Sequence, residues 1–242
     1  MSDFETVKYI KNDDVAEVVL NRPKVLNAYN IKMRDEIYQV FSAVQEDPDV
    51  ACIVLRGEGD RAFCSGADLT EFGSSPSRVI ARDVRWERDV WGLLLSIEKP
   101  IIAALHGYVI GSGLEMALLC DLRLAAQDSI FILPEAGLGM LPAAGGSQTL
   151  PRTIGIPRAN EMLLSGNQFD VYGALDFGLV HKVVSGDTIV DVAMTLASEL
   201  ARYPRGPMVA IKKAIRRGIE LPLEPALNME LRIAVGSMAI DS

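Results

Sequence analysis

Two glutamates lie in glycine-rich, apolar surroundings, where a carboxylate suggests chemistry. Glu115 belongs to the segment HGYVIGSGLEMALLCD at residues 106–121, in which an apolar run leads into a glycine-crowded turn and then a helix-like run. A strand that turns through glycines into a helix leaves backbone N–H groups unpaired, and these attract a phosphate, a carboxylate or a developing oxyanion. Because a carboxylate in the first helical turn would repel a phosphate, Glu115 is better suited to acid or base work on a carbonyl compound.

Glu135 lies twenty positions further along, in the glycine- and proline-rich loop ILPEAGLGMLPAAGGSQ at residues 132–148. Two carboxylates that converge in one pocket can share acid and base work when their environments separate their pKa values. The alternative is that each carboxylate caps a helix or pairs with a basic side chain. The spacing alone leaves both interpretations open.

A second turn of the same kind spans residues 65–68, Ser-Gly-Ala-Asp, between a strand-like run and a short helix. Two such turns could supply two N–H donors to one oxyanion. An ordinary turn in which Asp68 caps the helix is the alternative.

Other catalytic patterns fail on particular residues. Met116 occupies the third glycine position of a dinucleotide fingerprint, and no phosphate-binding GxxxxGK[ST] motif occurs. Ser112 has Ile110 and Leu114 at the two glycine positions of the nucleophile-elbow motif GxSxG. His106 and His181 have no second ligand nearby in the sequence, so we expect no metal site.

Composition narrows the class of protein. The 242 residues carry 24 basic and 32 acidic side chains, and the net charge of −8 argues against nucleic acid as the main partner. We therefore interpret the basic cluster Lys212, Lys213, Arg216 and Arg217 as a solvated helix face, with an RNA or phosphate patch as the alternative. The three cysteines lack metal-binding spacing and are interpreted as buried thiols. No apolar run approaches the ~18 residues of a membrane span and no signal peptide is evident, so we expect a cytoplasmic protein without membrane contact.

Strand and helix patterns alternate as far as about residue 184 and helices alone follow, which predicts an α/β core with a helical C-terminal region. The predicted strands lie at residues 6–10, 15–20, 50–55, 62–64, 101–106, 122–126, 130–133 and 180–184. The predicted helices lie at residues 31–46, 78–97, 114–120, 146–154, 157–164, 171–177, 187–201 and 207–218, with another from about residue 223. Asn30 is the expected cap of the first helix, and residues 73–77 are the expected mobile loop.

Four blocks of the sequence resemble, in order, those of the enoyl-CoA hydratase/isomerase (crotonase) superfamily. They are LNRPKVLNA at residues 20–28, AFCSGADL at residues 62–69, HGYVIGSGLEMALLCD at residues 106–121 and PEAGLGMLPAAGGSQTLPRTIG at residues 134–155. The resemblance implies a crotonase-like spiral of β-β-α turns at residues 1–184 and a helical trimerisation region at residues 185–242. The implied assembly is a homotrimer or a dimer of trimers, and the family usually adds one more helix beyond Ser242.

The resemblance also assigns roles to residues. The backbone N–H groups of Ser65 and Ser112 would form an oxyanion hole for a coenzyme A thioester. Glu115 would deprotonate the attacking water, and Glu135 would protonate the α-carbon. The implied coenzyme A contacts are Lys24, Val25, Ala28, Ser65, Ala67, Asp68 and Leu69. Because coenzyme A is part of the substrate, no separate cofactor is implied.

Three positions depart from the family pattern. Ser112 stands where many members have glycine, and the change should be tolerated because the contact is through the backbone. Ala143 also replaces a frequent glycine, which would alter how a backbone N–H meets the water. Leu133 stands where glutamine is frequent, and we expect it to make one wall of the pocket more apolar.

The predicted function is enoyl-CoA hydratase, a hydro-lyase that adds water in syn fashion across the 2,3 double bond of an acyl-CoA substrate. Family members that isomerise double bonds keep one acid or move it, so the presence of both glutamates favours hydration. A double-bond isomerase is the first alternative, and an RNA- or protein-binding paralogue is the second. We expect the helix at residues 78–97, with Trp86 and Trp91, to shape the acyl pocket.

Overall fold

The structure is a computed structural model that describes residues 4–71 and 87–238. The strands of these residues form two β-sheets. The strands are β1 Val7–Asn12, β2 Val15–Leu20, β3 Cys52–Gly57, β4 Ala62–Cys64, β5 Ile101–Leu105, β6 Tyr108–Ile110, β7 Leu122–Ala126, β8 Ile130–Ile132, β9 Phe169–Asp170 and β10 Lys182–Val184. The α-helices in the described ranges are α1 Ile31–Glu46, α2 Val90–Ser96, α3 Ser112–Leu118, α4 Gly146–Ile154, α5 Ile156–Ser165, α6 Val171–Asp176, α7 Ile189–Ala201, α8 Arg205–Gly218 and α9 Leu223–Met238.

The two sheets are connected as turns of a spiral. The larger sheet has the strand order β1-β2-β3-β5-β7-β10, and the smaller has the order β4-β6-β8-β9. In the larger sheet β1 and β2 form an antiparallel hairpin, whereas the other neighbours run parallel. The described chain passes from the larger to the smaller sheet from β3 to β4, from β5 to β6 and from β7 to β8. This repeat confirms the predicted α/β class and crotonase-like spiral.

The larger sheet is buried on both faces, as the continuous apolar runs of its parallel strands predict. On β3, Ile53 and Leu55 belong to the main core, which is shared with the smaller sheet and α1. Val54, between them, belongs to a second apolar cluster with Ile189 and Ala193 of α7. Helix α7 therefore covers the second face of the larger sheet. The predicted domain boundary at residue 184 stays a prediction.

Local signals predict some boundaries well and others not at all. Helix α1 occupies the predicted residues 31–46, and its Asn30 cap accepts a hydrogen bond from the Met33 N–H at 2.9 Å. Helix α4 likewise occupies residues 146–154. Strands β6 and β9 were not predicted, because β6 lies within the segment interpreted as a glycine-rich turn and β9 has only two residues. Strand β6 also directly follows Gly107, whose φ of 53° marks a turn.

Several predicted features fall on residues that the structure does not describe. Of the helix predicted at residues 78–97, the part seen as an α-helix is α2. The expected loop at residues 73–77, Trp86 and residues 239–242 lie outside the described residues. Within residues 4–71 and 87–238, no helix combines the length and apolar character that a membrane span requires.

The basic cluster on α8 differs from the predicted solvated face. Lys212 Nζ donates a hydrogen bond to Asp121 Oδ2 at 2.6 Å, and Arg216 Nη2 donates to Asp121 Oδ1 at 3.0 Å. Arg216 also donates to the backbone carbonyl oxygens of Leu95 and Leu119. The prediction was wrong because a helical pattern does not show which cations meet a carboxylate far away in the sequence. These two cations tether α8 to the end of α3, so only Lys213 and Arg217 of the cluster remain for the predicted solvated face.

Candidate active site

The two predicted acids meet at the start of α3. Gly111 precedes this helix with φ 52° and ψ −123°, a conformation that favours glycine, and its carbonyl accepts a hydrogen bond from the Glu115 N–H at 2.9 Å. A methyl group at Gly111 would lie only 2.8 Å from Oε1 of Glu135. Gly111 therefore contacts both the main chain of Glu115 and the carboxyl group of Glu135.

Glu115 is 2% exposed, and its carboxylate is held by the loop that follows Glu135. Its Oε1 accepts hydrogen bonds from the N–H groups of Ala144 at 2.9 Å and Gly146 at 2.8 Å. Gly146 is the first residue of α4, so Glu115 also occupies the N-terminal end of that helix, as the capping alternative anticipated. N–H donors and a helix N-terminus stabilise a negative carboxylate, which is the form that a general base needs.

Glu135 has the opposite environment. It begins the 3-10 turn Glu135–Leu138, and its Oε2 is buried without a hydrogen-bond partner in the described part of the chain. Burial raises the pKa of the Glu135 carboxyl group, because the charged form loses its hydration. A carboxyl group that keeps its proton to higher pH can serve as an acid. The two carboxyl groups thus differ: Glu115 accepts two backbone hydrogen bonds, whereas the Oε2 of Glu135 is buried without such a partner among the described residues.

The two glycine turns lie against each other because β4 and β6 are neighbours in the smaller sheet. Gly113, in the first turn of α3, is so close that a methyl group there would lie 2.5 Å from the carbonyl oxygen of Cys64. The methyl group considered at Gly111 would lie 3.6 Å from the Cα atom of Gly66. The turns that follow β4 and β6 are therefore adjacent, as a shared oxyanion site requires.

One predicted oxyanion donor is engaged elsewhere. The N–H of Ser65 donates to the carbonyl oxygen of Leu26 at 3.0 Å, so it is not the unpaired group that we predicted. The prediction was wrong because it treated residues 65–68 as an isolated turn. In the structure these residues run beside the segment that follows β2, and that pairing is not visible in the sequence.

A different N–H of the same turn has the required direction. The Gly66 carbonyl accepts a hydrogen bond from the Tyr29 N–H at 2.8 Å, and the Asp68 N–H donates to the Tyr29 carbonyl at 2.9 Å. Tyr29 thereby forms a parallel bridge with Ala67. Because successive peptide groups of extended backbone point to opposite sides, the Ala67 N–H points away from Tyr29. Among the described residues this N–H has no acceptor.

The backbone N–H of Ser112 is open among the described residues, so Ser112 remains a candidate oxyanion donor. As the first residue of α3, it has an N–H that no carbonyl of its own helix can reach, and the described residues offer no other acceptor. Its φ is not positive, so the serine side chain causes no backbone strain where many relatives carry glycine. The N–H groups of Ala67 and Ser112 are therefore open donors, one on each of the adjacent turns, among the described residues.

The predicted coenzyme A loop is a tightly bonded turn. Pro23–Val25 forms a 3-10 turn, and Leu26 and Asn27 follow in left-handed conformations with φ of 54° and 55°. Asn27 is fully buried and satisfied. Its side chain accepts a hydrogen bond from the Arg22 N–H at 2.8 Å and donates to two backbone carbonyl oxygens at 2.9 Å. The loop therefore presents its side chains from a rigid backbone.

Most of the predicted coenzyme A contacts are accessible, but Asp68 is engaged within the protein. The exposed or half-buried residues among them include Lys24, Val25, Ala28, Ala67 and Leu69. Asp68 accepts hydrogen bonds from the Thr70 hydroxyl at 2.6 Å and from Arg22 Nη1 at 2.9 Å, and these two bonds lower the pKa of the Asp68 carboxyl group. Asp68 therefore shapes the turn, as the capping alternative anticipated, and does not offer its charge to a ligand.

Comparison with known proteins decides the family. The enoyl-CoA hydratase/isomerase family model matches residues 10–241. The chain belongs to this family. A mitochondrial enoyl-CoA hydratase of Pongo abelii is 35% identical over 231 residues, which are 95% of this chain and 78% of that protein. The crotonyl-CoA hydratase of Syntrophomonas wolfei is 33% identical over 228 residues, covering 94% of this chain and 87% of that protein. The crystal structure of an enoyl-CoA hydratase from Bacillus anthracis is similar with a TM-score of 0.92 at 30% identity, covering 97% of this chain and 92% of that chain.

This member of the enoyl-CoA hydratase/isomerase family is an enzyme. The sequence analysis did not select two residues that shape its candidate site. Arg22 and Asn27 lie within the block that carried the resemblance, but only their partners in space reveal what they do. The expectation for Leu133 was also wrong. Leu133 is fully buried in the main core, so its side chain does not line an open pocket. The other departure in this region, Ala143, is exposed on the loop that follows Glu135.

Proposed function

We propose that this enzyme is an enoyl-CoA hydratase, which adds water to one face of the 2,3 double bond of an enoyl-CoA thioester. The proposal rests on the acid pair at Gly111. Glu115 accepts two backbone hydrogen bonds, whereas the Oε2 of Glu135 is buried without a partner among the described residues. Hydration needs a base for the water and an acid for the α-carbon, and these two environments supply both.

In the proposed reaction the thioester carbonyl oxygen accepts hydrogen bonds from the N–H groups of Ala67 and Ser112. Glu115 takes a proton from water as the water oxygen bonds to the β-carbon, and the electron pair of the double bond moves into an enolate. Glu135 gives its proton to the α-carbon, where the enolate electrons form the new C–H bond. Transfer of a proton from Glu115 to Glu135 through solvent restores the starting state. Each oxyanion donor contributes ~3 kcal/mol to lowering the barrier.

A direct assay tests this function. Addition of the enzyme to crotonyl-CoA or to longer 2-enoyl-CoA thioesters is expected to remove the ultraviolet absorbance of the conjugated thioester. Hydration saturates the double bond, whereas saturated acyl-CoA controls lack that absorbance from the start. Unchanged absorbance with every chain length would contradict the proposal.

Lys24 is expected to bind a phosphate group of coenzyme A. It is exposed on the rigid loop and has no carboxylate partner among the described residues, whereas Arg22 beside it is paired with Asp68. We expect Lys24→Glu to raise KM for crotonyl-CoA about tenfold and to leave kcat unchanged, because one charge-assisted contact is lost. Steady-state kinetics measure both constants.

Two controls isolate the phosphate contact of Lys24. The crotonyl thioester of N-acetylcysteamine lacks the phosphates, so its KM should be the same for Lys24→Glu and wild type. Lys182→Glu changes an exposed lysine on β10, at the opposite edge of the larger sheet from β1, and should leave both substrates unaffected. An equal rise in KM for both thioesters would show that Lys24 does not bind phosphate.

We also propose that the chains associate through α8 and α9 as a homotrimer or a dimer of trimers. Exposed apolar side chains recur every four residues along these helices and the turn between them, a pattern that is costly to leave in water. They are Ile211, Ile215, Ile219, Leu223, Leu227, Leu231 and Val235. Light scattering after size exclusion is expected to give the mass of three or six chains, and Leu231→Asp should shift it toward one chain. A wild-type monomer would contradict this assembly.

A further inference from the structure

An ion pair joins the coenzyme A loop to the turn that carries one oxyanion donor. The same nitrogen of Arg22, Nη1, donates to the carbonyl oxygen of Ala28 at 2.6 Å and to Oδ2 of Asp68 at 2.9 Å. Both side chains are largely buried, with exposures of 20% for Arg22 and 14% for Asp68. An ion pair this shielded from water holds its two segments in register more firmly than a surface pair does.

The ion pair acts on the residue next to the Ala67 donor. Asp68 directly follows Ala67, and its N–H bonds to the carbonyl oxygen of Tyr29 at 2.9 Å. Its second carboxylate oxygen accepts the Thr70 hydroxyl at 2.6 Å. Arg22 therefore holds the side chain of the residue that anchors one side of the bridge between Tyr29 and Ala67, and the Gly66 carbonyl anchors the peptide that carries the Ala67 N–H on the other side. Loss of Arg22 would leave a largely buried carboxylate without its cation, and rotation of Asp68 toward water would loosen this bridge and let the Ala67 N–H turn.

Arg22 is also unsuited to the alternative role of binding a phosphate. Its Nη1 is occupied by Asp68 and Ala28, which partly neutralises its charge, whereas the neighbouring Lys24 is exposed and unpaired among the described residues. Both acceptors are met by the one nitrogen Nη1, and the ammonium nitrogen of a lysine would end one bond short of that position. The pair is therefore built to position backbone, not to contact ligand.

We propose that Arg22 and Asp68 are positioning residues that aim the Ala67 N–H at the thioester oxygen. The inference rests on the proposed hydratase function and deepens it. Oxyanion donors act only when they point at the place where charge develops, so a shift of this N–H of about 1 Å can cost up to about a hundredfold in rate. Loss of the ion pair should lower kcat and weaken the polarisation of the bound carbonyl. Substrate binding should change little, because the proposal gives Arg22 no contact with substrate.

The test compares wild type with Arg22→Lys, Asp68→Asn and the double variant. Butyryl-CoA labelled with carbon-13 at the thioester carbonyl binds without reacting, and infrared difference spectra report how far the site lowers its stretching frequency. We expect each single variant to lose about ten- to a hundredfold in kcat and to lose part of the frequency shift, with KM nearly unchanged. The double variant should be no worse than the singles, because both act through one contact.

Arg56→Lys is the matched control. Arg56 makes a comparably buried ion pair with Glu17, with exposures of 18% and 8%, within the larger sheet. This control should lose stability without changing the carbonyl band. If Arg22→Lys does not fold, Thr70→Val removes only the hydroxyl bond to Asp68 and should give a smaller change in the same direction.

The outcomes separate the two proposals. An active wild type whose Arg22→Lys and Asp68→Asn variants keep the carbonyl band and kcat would overturn the positioning role and leave the hydratase proposal standing. A wild type that leaves every enoyl-CoA unchanged would overturn both.

Discussion

Replacement of Glu115 by glutamine is expected to lower kcat for enoyl-CoA hydration by about 10²–10⁴-fold, the usual contribution of a positioned general base. The amide oxygen of glutamine can still accept the hydrogen bonds that Ala144 and Gly146 donate to Oε1, so the fold should be retained. The amide cannot take a proton from water. Loss of the enoyl absorbance with crotonyl-CoA measures kcat, and KM should change little because Glu115 makes no predicted contact with coenzyme A.

Glu98→Gln provides the control for Glu115→Gln. Glu98 is exposed just before β5, and the same loss of charge there should leave kcat at the wild-type value. Retention of most activity by Glu115→Gln would exclude Glu115 as the base for water. Glu135 alone would then move the proton, which is the behaviour expected of a double-bond isomerase.

Replacement of Glu135 by glutamine should have opposite effects on activity and stability. We expect kcat to fall by about 10²–10⁴-fold, because the amide cannot deliver a proton to the α-carbon. Stability should rise at neutral pH, since glutamine stays uncharged in a position where a carboxylate loses its hydration. Urea unfolding of both proteins at matched concentrations measures the second effect.

The pH dependence of that stability difference follows from the raised pKa of Glu135. The folded protein binds the Glu135 proton more tightly than the unfolded chain does. The stabilisation is therefore complete below the pKa of an unfolded glutamate, about 4.3, and is lost as pH rises through the higher folded pKa. The advantage of Glu135→Gln should appear across this rise and disappear in acid. If the difference in unfolding free energy between Glu135→Gln and wild type is the same at neutral and at acidic pH, the assigned burial effect is contradicted.

Both candidate acids could be selected from the sequence because their context was unusual. Glu115 and Glu135 are carboxylates in apolar, glycine-rich segments, and in the structure they meet at Gly111. Regular helices could also be predicted from the sequence, since α1 combines a long helical pattern of apolar residues with the Asn30 cap. These signals come from neighbouring residues in the sequence, so they can be interpreted without knowledge of the fold.

The errors concern partners that only the fold brings together. The Ser65 N–H was expected to be open, but the carbonyl of Leu26 occupies it. Lys212 and Arg216 were expected to be solvated, but Asp121 pairs with both. A sequence shows which groups need partners and does not show which distant segment supplies them. This explains why the sequence located the two glutamates beside the glycine turns but did not show that the Ser65 N–H is bonded to Leu26.

The most direct test of the central claim follows the oxygen and the hydrogen that are added across the double bond. The enzyme is incubated with crotonyl-CoA in water labelled with heavy oxygen and deuterium, and the product is analysed by mass spectrometry and NMR. The two-acid account predicts one labelled oxygen at the β-carbon and one deuterium at the α-carbon, added to the same face of the double bond. Migration of the double bond without labelled oxygen, or addition to opposite faces, would contradict it.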